Sequence, residues 1–253
     1  MPVFQSEGFS IAYEVYGEGP PVVCVHGFAS NGTVNWVTTG WVDALVDAGY
    51  QAITIDNRGH GQSEKIYDPD VYSSRLMARD VANLIDHLEL GKAALLGYSM
   101  GARICAFVCI DAPDKVACAI FGGLGENMVR GLTNSEEIIK ALNAPALSDV
   151  SHPTGRQFRI FAEHTKSDLK ALAACMSSSR VKISEDDLGQ IAVPVLVAVG
   201  SEDEVGGDPK VLADMIPHGE SLVIERRDHM RATGDPQFKA GALAFLARVY
   251  PRD

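Results

Sequence analysis

The chain has 253 residues, of which 46% are hydrophobic and 22% charged; this is the composition of a globular protein with a substantial core, not of a disordered one. Acidic residues outnumber basic ones 33 to 22, a formal charge of −11. Nucleic acid, which is held by Lys and Arg on phosphates, is thereby excluded as a partner class. No apolar run reaches the roughly 18 residues that a bilayer span requires, and Met1-Pro2-Val3-Phe4-Gln5-Ser6-Glu7 lacks the charged-then-apolar order of a signal peptide. The expectation is a cytoplasmic protein with no membrane partner.

In chain order, residues 3–5 and 11–16 read as two extended pieces turned at Gly8. The β-branched run Val22-Val23-Cys24-Val25 has no polar alternation and predicts a strand buried on both faces. A helix is expected near 37–48, stopped by Gly49, and a second buried strand at 52–56. Residues 56–70 read as loop. Leu76, Val81, Leu84, Ile85 and Leu88 recur near a 3.6-residue period over 73–90, with Gly91 as the stop. A strand at 93–96, a helix at 100–111 and a strand at 116–121 follow. Further strands are expected at 195–199 and 221–225, separated by a helix at 209–215, and a final helix at 238–249.

Strands alternating with helices predict an α/β fold with a mostly parallel sheet. Residues 122–190 break the rhythm, with helical patches at 136–142 and 156–176 and no strong strand. They read as a helical lid insertion in one domain, 1–253, whose core is 1–121 and 191–253. The cysteines, Cys24, Cys105, Cys109, Cys118 and Cys175, are odd in number and form no Cys-x-x-Cys. Buried free thiols in a reducing compartment are expected, and no metal site.

Gly97-Tyr98-Ser99-Met100-Gly101 fits G-x-S-x-G between a predicted strand and a predicted helix. A tight strand-to-helix turn lifts a serine hydroxyl above the sheet and aims helix N–H groups at a developing oxyanion, which makes Ser99 the expected nucleophile. Together with His26-Gly27 after the first buried strand and Asp56-Asn57-Arg58-Gly59-His60-Gly61-Gln62-Ser63 after the second, this turn resembles the α/β-hydrolase fold family and its serine esterases. The first stretch is similar to the family's oxyanion loop and the second to its D-x-R-G-x-G-x-S loop. The resemblance covers 1–121 and 191–253 and implies a twisted sheet of about eight strands flanked by helices.

The family order Ser, Asp/Glu, His implies His229 as base, because it alone of seven histidines lies between the last strand and the final helix. His26 and His60 belong to the loop motifs, His87 to a charged helix face, His152 and His164 to the insertion, and His218 to a turn. The resemblance also implies Asp203, three residues after Gly200, as the orienting acid, with Glu202 and Glu204 as solvated neighbours and Asp208 as a helix cap. The oxyanion donors it implies are the backbone N–H groups of Phe28 and Met100. Arg226-Arg227-Asp228 before His229 departs from the small residues usual there, and Asp228 is too close in sequence to orient its neighbour's ring. Asp56, Arg58 and His60 are expected to stabilise their loop.

Phe28, Tyr98, Phe121, Leu124, Met128, Phe158, Phe161 and Met176 are candidate pocket residues, and packing of the insertion on the sheet explains each equally well. The expected reaction is hydrolysis of a small carboxylic ester, of short acyl chain, through an acyl-enzyme and without a cofactor. The same residues would serve a cofactor-free perhydrolase or haloperoxidase, a thioesterase, a lactonase or a carbon–carbon bond hydrolase, and a non-catalytic ligand sensor can also use this fold. A serine at position 99 argues against the aspartate nucleophile of dehalogenases and epoxide hydrolases. Gly122-Gly123-Leu124-Gly125 lacks a full G-x-G-x-x-G and carries no dinucleotide reading.

Overall fold

Side chains of the central strands alternate strictly between two apolar layers, and that alternation builds the sheet. The structure, a computed structural model, describes residues 1–131, 134–178 and 182–251. Its strands are β1 (Val3–Ser6), β2 (Phe9–Tyr16), β3 (Pro21–Val25), β4 (Gln51–Ile55), β5 (Ala93–Tyr98), β6 (Val116–Gly122), β7 (Val195–Gly200) and β8 (Gly219–Ile224). They lie in one sheet in the order β1-β2-β4-β3-β5-β6-β7-β8. β1 pairs with β2, and β2 with β4, antiparallel; all other neighbours are parallel. Val23, Val25, Ile53, Leu95 and Val197 point into one layer, while Val22, Cys24, Leu96, Ile120 and Ala198 point into the other. A strand with both faces covered has no polar positions, which is why these runs are continuously apolar.

The helices are α1 (Trp41–Asp47), α2 (Ser74–His87), α3 (Met100–Asp111), α4 (Asn127–Arg130), α5 (Ser135–Asn143), α6 (Pro153–His164), α7 (Leu169–Ser177), α8 (Glu185–Leu188), α9 (Pro209–Asp214), α10 (His229–Ala232) and α11 (Pro236–Val249). None among the described residues is long and apolar enough to cross a membrane. Two expectations change. The single helix expected near 37–48 is a π-type turn, Thr33–Val37, followed by α1. Thr39 Oγ1 donates back to the Asn35 carbonyl at 2.7 Å, and Gly40 takes φ +74°, so the chain turns before α1 starts. The patch expected at 156–176 is two helices, because Lys166 adopts φ +55° and Asp168 caps α7 by accepting the Lys170 and Ala171 N–H groups. All five cysteines are buried and free.

β3 is flanked by β4 on one side and β5 on the other, so the connections leaving its C-terminal edge diverge. A parallel sheet opens a crevice at such a reversal, beyond the carboxyl ends of its strands. The loops after β3, β5 and β7 converge there.

Candidate active site

Ser99 sits between the end of β5 at Tyr98 and the start of α3 with φ +54° and ψ −112°, a conformation that a non-glycine residue holds only where its surroundings enforce it. Its N–H donates to the Gly122 carbonyl at 2.8 Å, which ties the turn to β6. At Gly101, a Cβ would lie 2.0 Å from the Val25 carbonyl oxygen, so α3 packs directly on the end of β3. The serine is therefore held at the crevice by backbone on both sides.

Ser99 Oγ lies 3.0 Å from His229 Nε2, and His229 Nδ1 lies 2.8 Å from Asp203 Oδ2. Asp203, on the loop after β7, is buried; its Oδ1 accepts the N–H groups of Val205 at 2.9 Å and Gly206 at 2.8 Å. Both carboxylate oxygens are thus engaged and one is aimed at the imidazole. His229 begins α10, and Tyr98 Oη donates to its carbonyl at 2.6 Å. Asp228 accepts from Met230 and Arg231 N–H as the cap of that helix and so is occupied elsewhere. Arg227 turns away to pair with the buried Asp235, and the bulky approach to His229 therefore leaves the site open. Asp208 caps α9.

The loop after β3 approaches from the other side. A Cβ on Gly27 would stand 3.4 Å from Ser99 Cβ, and Gly27 N–H donates to Asn35 Oδ1 at 3.3 Å. Met100 N–H is in the first turn of α3, where no intrahelical acceptor exists. His26 is wholly buried; Nδ1 donates to the Gly27 carbonyl at 2.7 Å and Nε2 accepts from Asn57 N–H at 3.0 Å. His60 Nδ1 donates to the Arg58 carbonyl at 3.0 Å, and its Nε2 has no partner. Burial pushes His26 down to about 4 and His60 to about 3, the neighbouring His26 adding to the second shift. Asp56 accepts from Gly32 N–H and Gln62 N–H, both at 2.7 Å. Arg58 makes two 2.7 Å bonds to Asp80, and both side chains are buried. These contacts join the two loops to each other and to α2, and none of them reaches Ser99.

Ser99 opens on two cavities. One, of about 230 Å³, is lined by Phe28, Tyr98, Phe158, Phe161, His229 and Met230 among others. The other, of about 70 Å³, includes Phe28, Met100, Arg103, Leu124, Phe158 and Met176. Phe121 and Met128 line neither and are fully buried in the core; a residue at the end of β6 and one on the inner side of α4 face the sheet instead. Asn35, Gln157, Thr233 and Val205 line the larger cavity without having been singled out in the sequence. They sit on the π-type turn Thr33–Val37, on α6 and on two loops, and no local pattern links them.

The sequence model described as the alpha/beta hydrolase fold matches residues 20–151. The chain belongs to the α/β-hydrolase fold family. Among relatives in that family, a non-heme chloroperoxidase of Kitasatospora aureofaciens is 27% identical, over 97% of this chain and 99% of its own. Among solved α/β hydrolases, Est816, described as an N-acyl homoserine lactone degrading enzyme, superposes with a TM-score of 0.76 at 26% identity, covering 96% of this chain and all of its own (100%). A thermophilic esterase of Thermogutta terrifontis superposes with a TM-score of 0.73 at 27% identity, covering 98% and 97% of the two chains.

Proposed function

We propose that this α/β hydrolase cleaves small carboxylic esters through an acyl-enzyme on Ser99. The observation that carries the reading is the unbroken line of two short hydrogen bonds from Ser99 Oγ through His229 to Asp203. His229 Nε2 takes the Ser99 proton as Oγ attacks the carbonyl carbon, and Asp203 holds the ring with Nδ1 protonated and steadies the imidazolium that forms. The backbone N–H groups of Phe28 and Met100 donate to the oxyanion. Collapse of the tetrahedral intermediate expels the alcohol, which receives the proton from His229. Water then attacks the acyl-enzyme with His229 as base, releasing the acid and restoring Ser99.

Helix α6, within the insertion, acts as a roof over this site, since Gln157, Phe158 and Phe161 on it line the larger cavity. Phe28, Val34, Phe158, Phe161, Val205 and Met230 among its walls are apolar and suit an uncharged ester. The test is turnover of p-nitrophenyl acetate and butyrate by the wild type and by Ser99→Ala. Loss of several orders of magnitude in the variant is expected; equal rates in both contradict the role of Ser99.

A second reading is favoured by the full-length similarity to a non-heme chloroperoxidase. Hydrogen peroxide in place of water would attack the same acyl-enzyme and release a peracid. Halide-dependent bromination of a dye in acetate and peroxide, abolished in Ser99→Ala, would support it, and ester hydrolysis without such bromination would leave simple hydrolysis.

A further inference from the structure

The turn that carries the Phe28 N–H is held in an unfavourable backbone conformation. Ser30 N–H donates to the Gly27 carbonyl at 3.3 Å, which closes a four-residue turn, Gly27–Ser30. Ala29 is the third residue of that turn and has φ +59°. A turn with positive φ at this place ordinarily takes glycine, because a Cβ crowds the following carbonyl. An alanine keeps the conformation only where its surroundings hold it.

Two kinds of contact hold it, and both come from the segment that carries α5, α6 and α7. Ala29 is wholly buried and belongs to a cluster with Ile138 and Leu142 of α5, Ala162 of α6, and Leu172, Ala173 and Met176 of α7. Of the buried residues in that cluster, among those described, Ala29 alone lies outside 122–190. Its carbonyl accepts from Thr165 Oγ1 at 2.9 Å. Thr165 is the residue at which α6 ends, and its hydroxyl also faces the Ala162 carbonyl at 3.1 Å and Ser167 Oγ at 2.9 Å. Ser167 Oγ donates to the same Ala29 carbonyl at 3.5 Å. The turn between α6 and α7 therefore presents two hydroxyls to one carbonyl beside Phe28. Phe28 N–H lies on the first peptide plane of the Gly27–Ser30 turn and the Ala29 carbonyl on the last, so a change in the Ala29 φ re-aims the planes between them. Oxyanion donors act only when aimed where the charge develops, and a displacement of about 1 Å can cost about a hundredfold in rate.

We propose that Thr165 is a positioning residue: its hydroxyl, together with the cluster around Ala29, keeps the Gly27–Ser30 turn in the form that aims the Phe28 N–H at the oxyanion. The inference rests on the ester-hydrolysis reading above, and it gives the helical insertion a part in catalysis beyond roofing the cavity. Thr165 lines neither of the two cavities at Ser99 and acts through the Ala29 backbone.

The test compares wild type, Thr165→Val and Thr165→Ser, with p-nitrophenyl butyrate as substrate and a short alkyl trifluoromethyl ketone as inhibitor. The hemiketal that Ser99 forms with the ketone places its oxyanion on the same donors as the ester intermediate. Thr165→Val keeps the side-chain shape and loses the hydroxyl. Its kcat is expected to fall about tenfold with KM within about twofold, and the ketone to bind about tenfold more weakly. Thr165→Ser keeps a hydroxyl and is expected to stay within about threefold of wild type on both readouts. Lowered thermal stability with kcat and ketone affinity unchanged would mark a merely structural contact and overturns the inference, as does a rise in KM at constant kcat. If Thr165→Val does not fold, Ser167→Ala decides by the same two readouts, with an expected loss of about threefold in each; no loss overturns the inference. A wild type that cleaves the ester and binds the ketone while Thr165→Val matches it overturns this inference alone. Failure of the wild type to do either overturns the ester-hydrolysis reading and this inference with it.

Discussion

Acid should unfold this protein earlier than its carboxylates alone would require, because two neutral histidines are locked beneath the site. His26 and His60 are fully buried, with folded-state values near 4 and 3 set chiefly by burial. In the unfolded chain each titrates near 6.5. The unfolded state therefore binds more protons below pH 6.5, and stability must fall as pH falls through that window. Between pH 7 and pH 5 each histidine should remove about 2 kcal/mol, or about 4 kcal/mol for the pair. That is a large share of the roughly 5–15 kcal/mol typical of a domain. Urea unfolding followed by tryptophan fluorescence at pH 8, 7, 6 and 5 measures it, since the two tryptophans, Trp36 and Trp41, are both buried. His60→Gln lowers stability at neutral pH by removing the bond to the Arg58 carbonyl, and it should also halve the loss between pH 7 and pH 5. A wild-type stability that is flat over that range would falsify the assignment of both rings as buried and neutral.

Asp203→Asn should fold normally and lose about 10³- to 10⁴-fold in kcat, because an amide in that place no longer selects the Nδ1-protonated ring; circular dichroism and ester turnover measured together separate this from unfolding. Asp80→Ala should cost about 3–5 kcal/mol by leaving the buried Arg58 guanidinium without its carboxylate, read as a lowered urea midpoint. By contrast, Asp214→Ala breaks an exposed pair with Lys210 and should shift that midpoint by less than about 0.5 kcal/mol.

The strands and the helix after Ser99 were legible because their signal is local. Val22–Val25 and Ala93–Leu96 must be apolar at every position when both faces are covered, and α3 runs from Met100 to Asp111 as its composition implies. Boundaries failed where a side chain decided them: Thr39 folding back on Asn35 split one expected helix, and Asp168 capping α7 split another. His229 and Asp203 were legible only through the resemblance and its chain order, since nothing in seven histidines and many acids distinguishes them by spacing. Their mutual distance is a property of loops after two different strands. Cavity walls were the least readable part. Phe121 and Met128 are apolar in the same way as Phe158 and Phe161, and only the direction of their elements sends one pair into the core and the other to the cavity.

The central claim is that Ser99 forms a covalent acyl bond during turnover. Reaction with a fluorophosphonate, followed by intact mass and peptide mapping, measures it most directly. One adduct per chain on Ser99, formed in step with loss of esterase activity and absent from Ser99→Ala, is the predicted result. Full esterase activity after complete labelling of Ser99, or activity lost with the adduct on another residue, would contradict it.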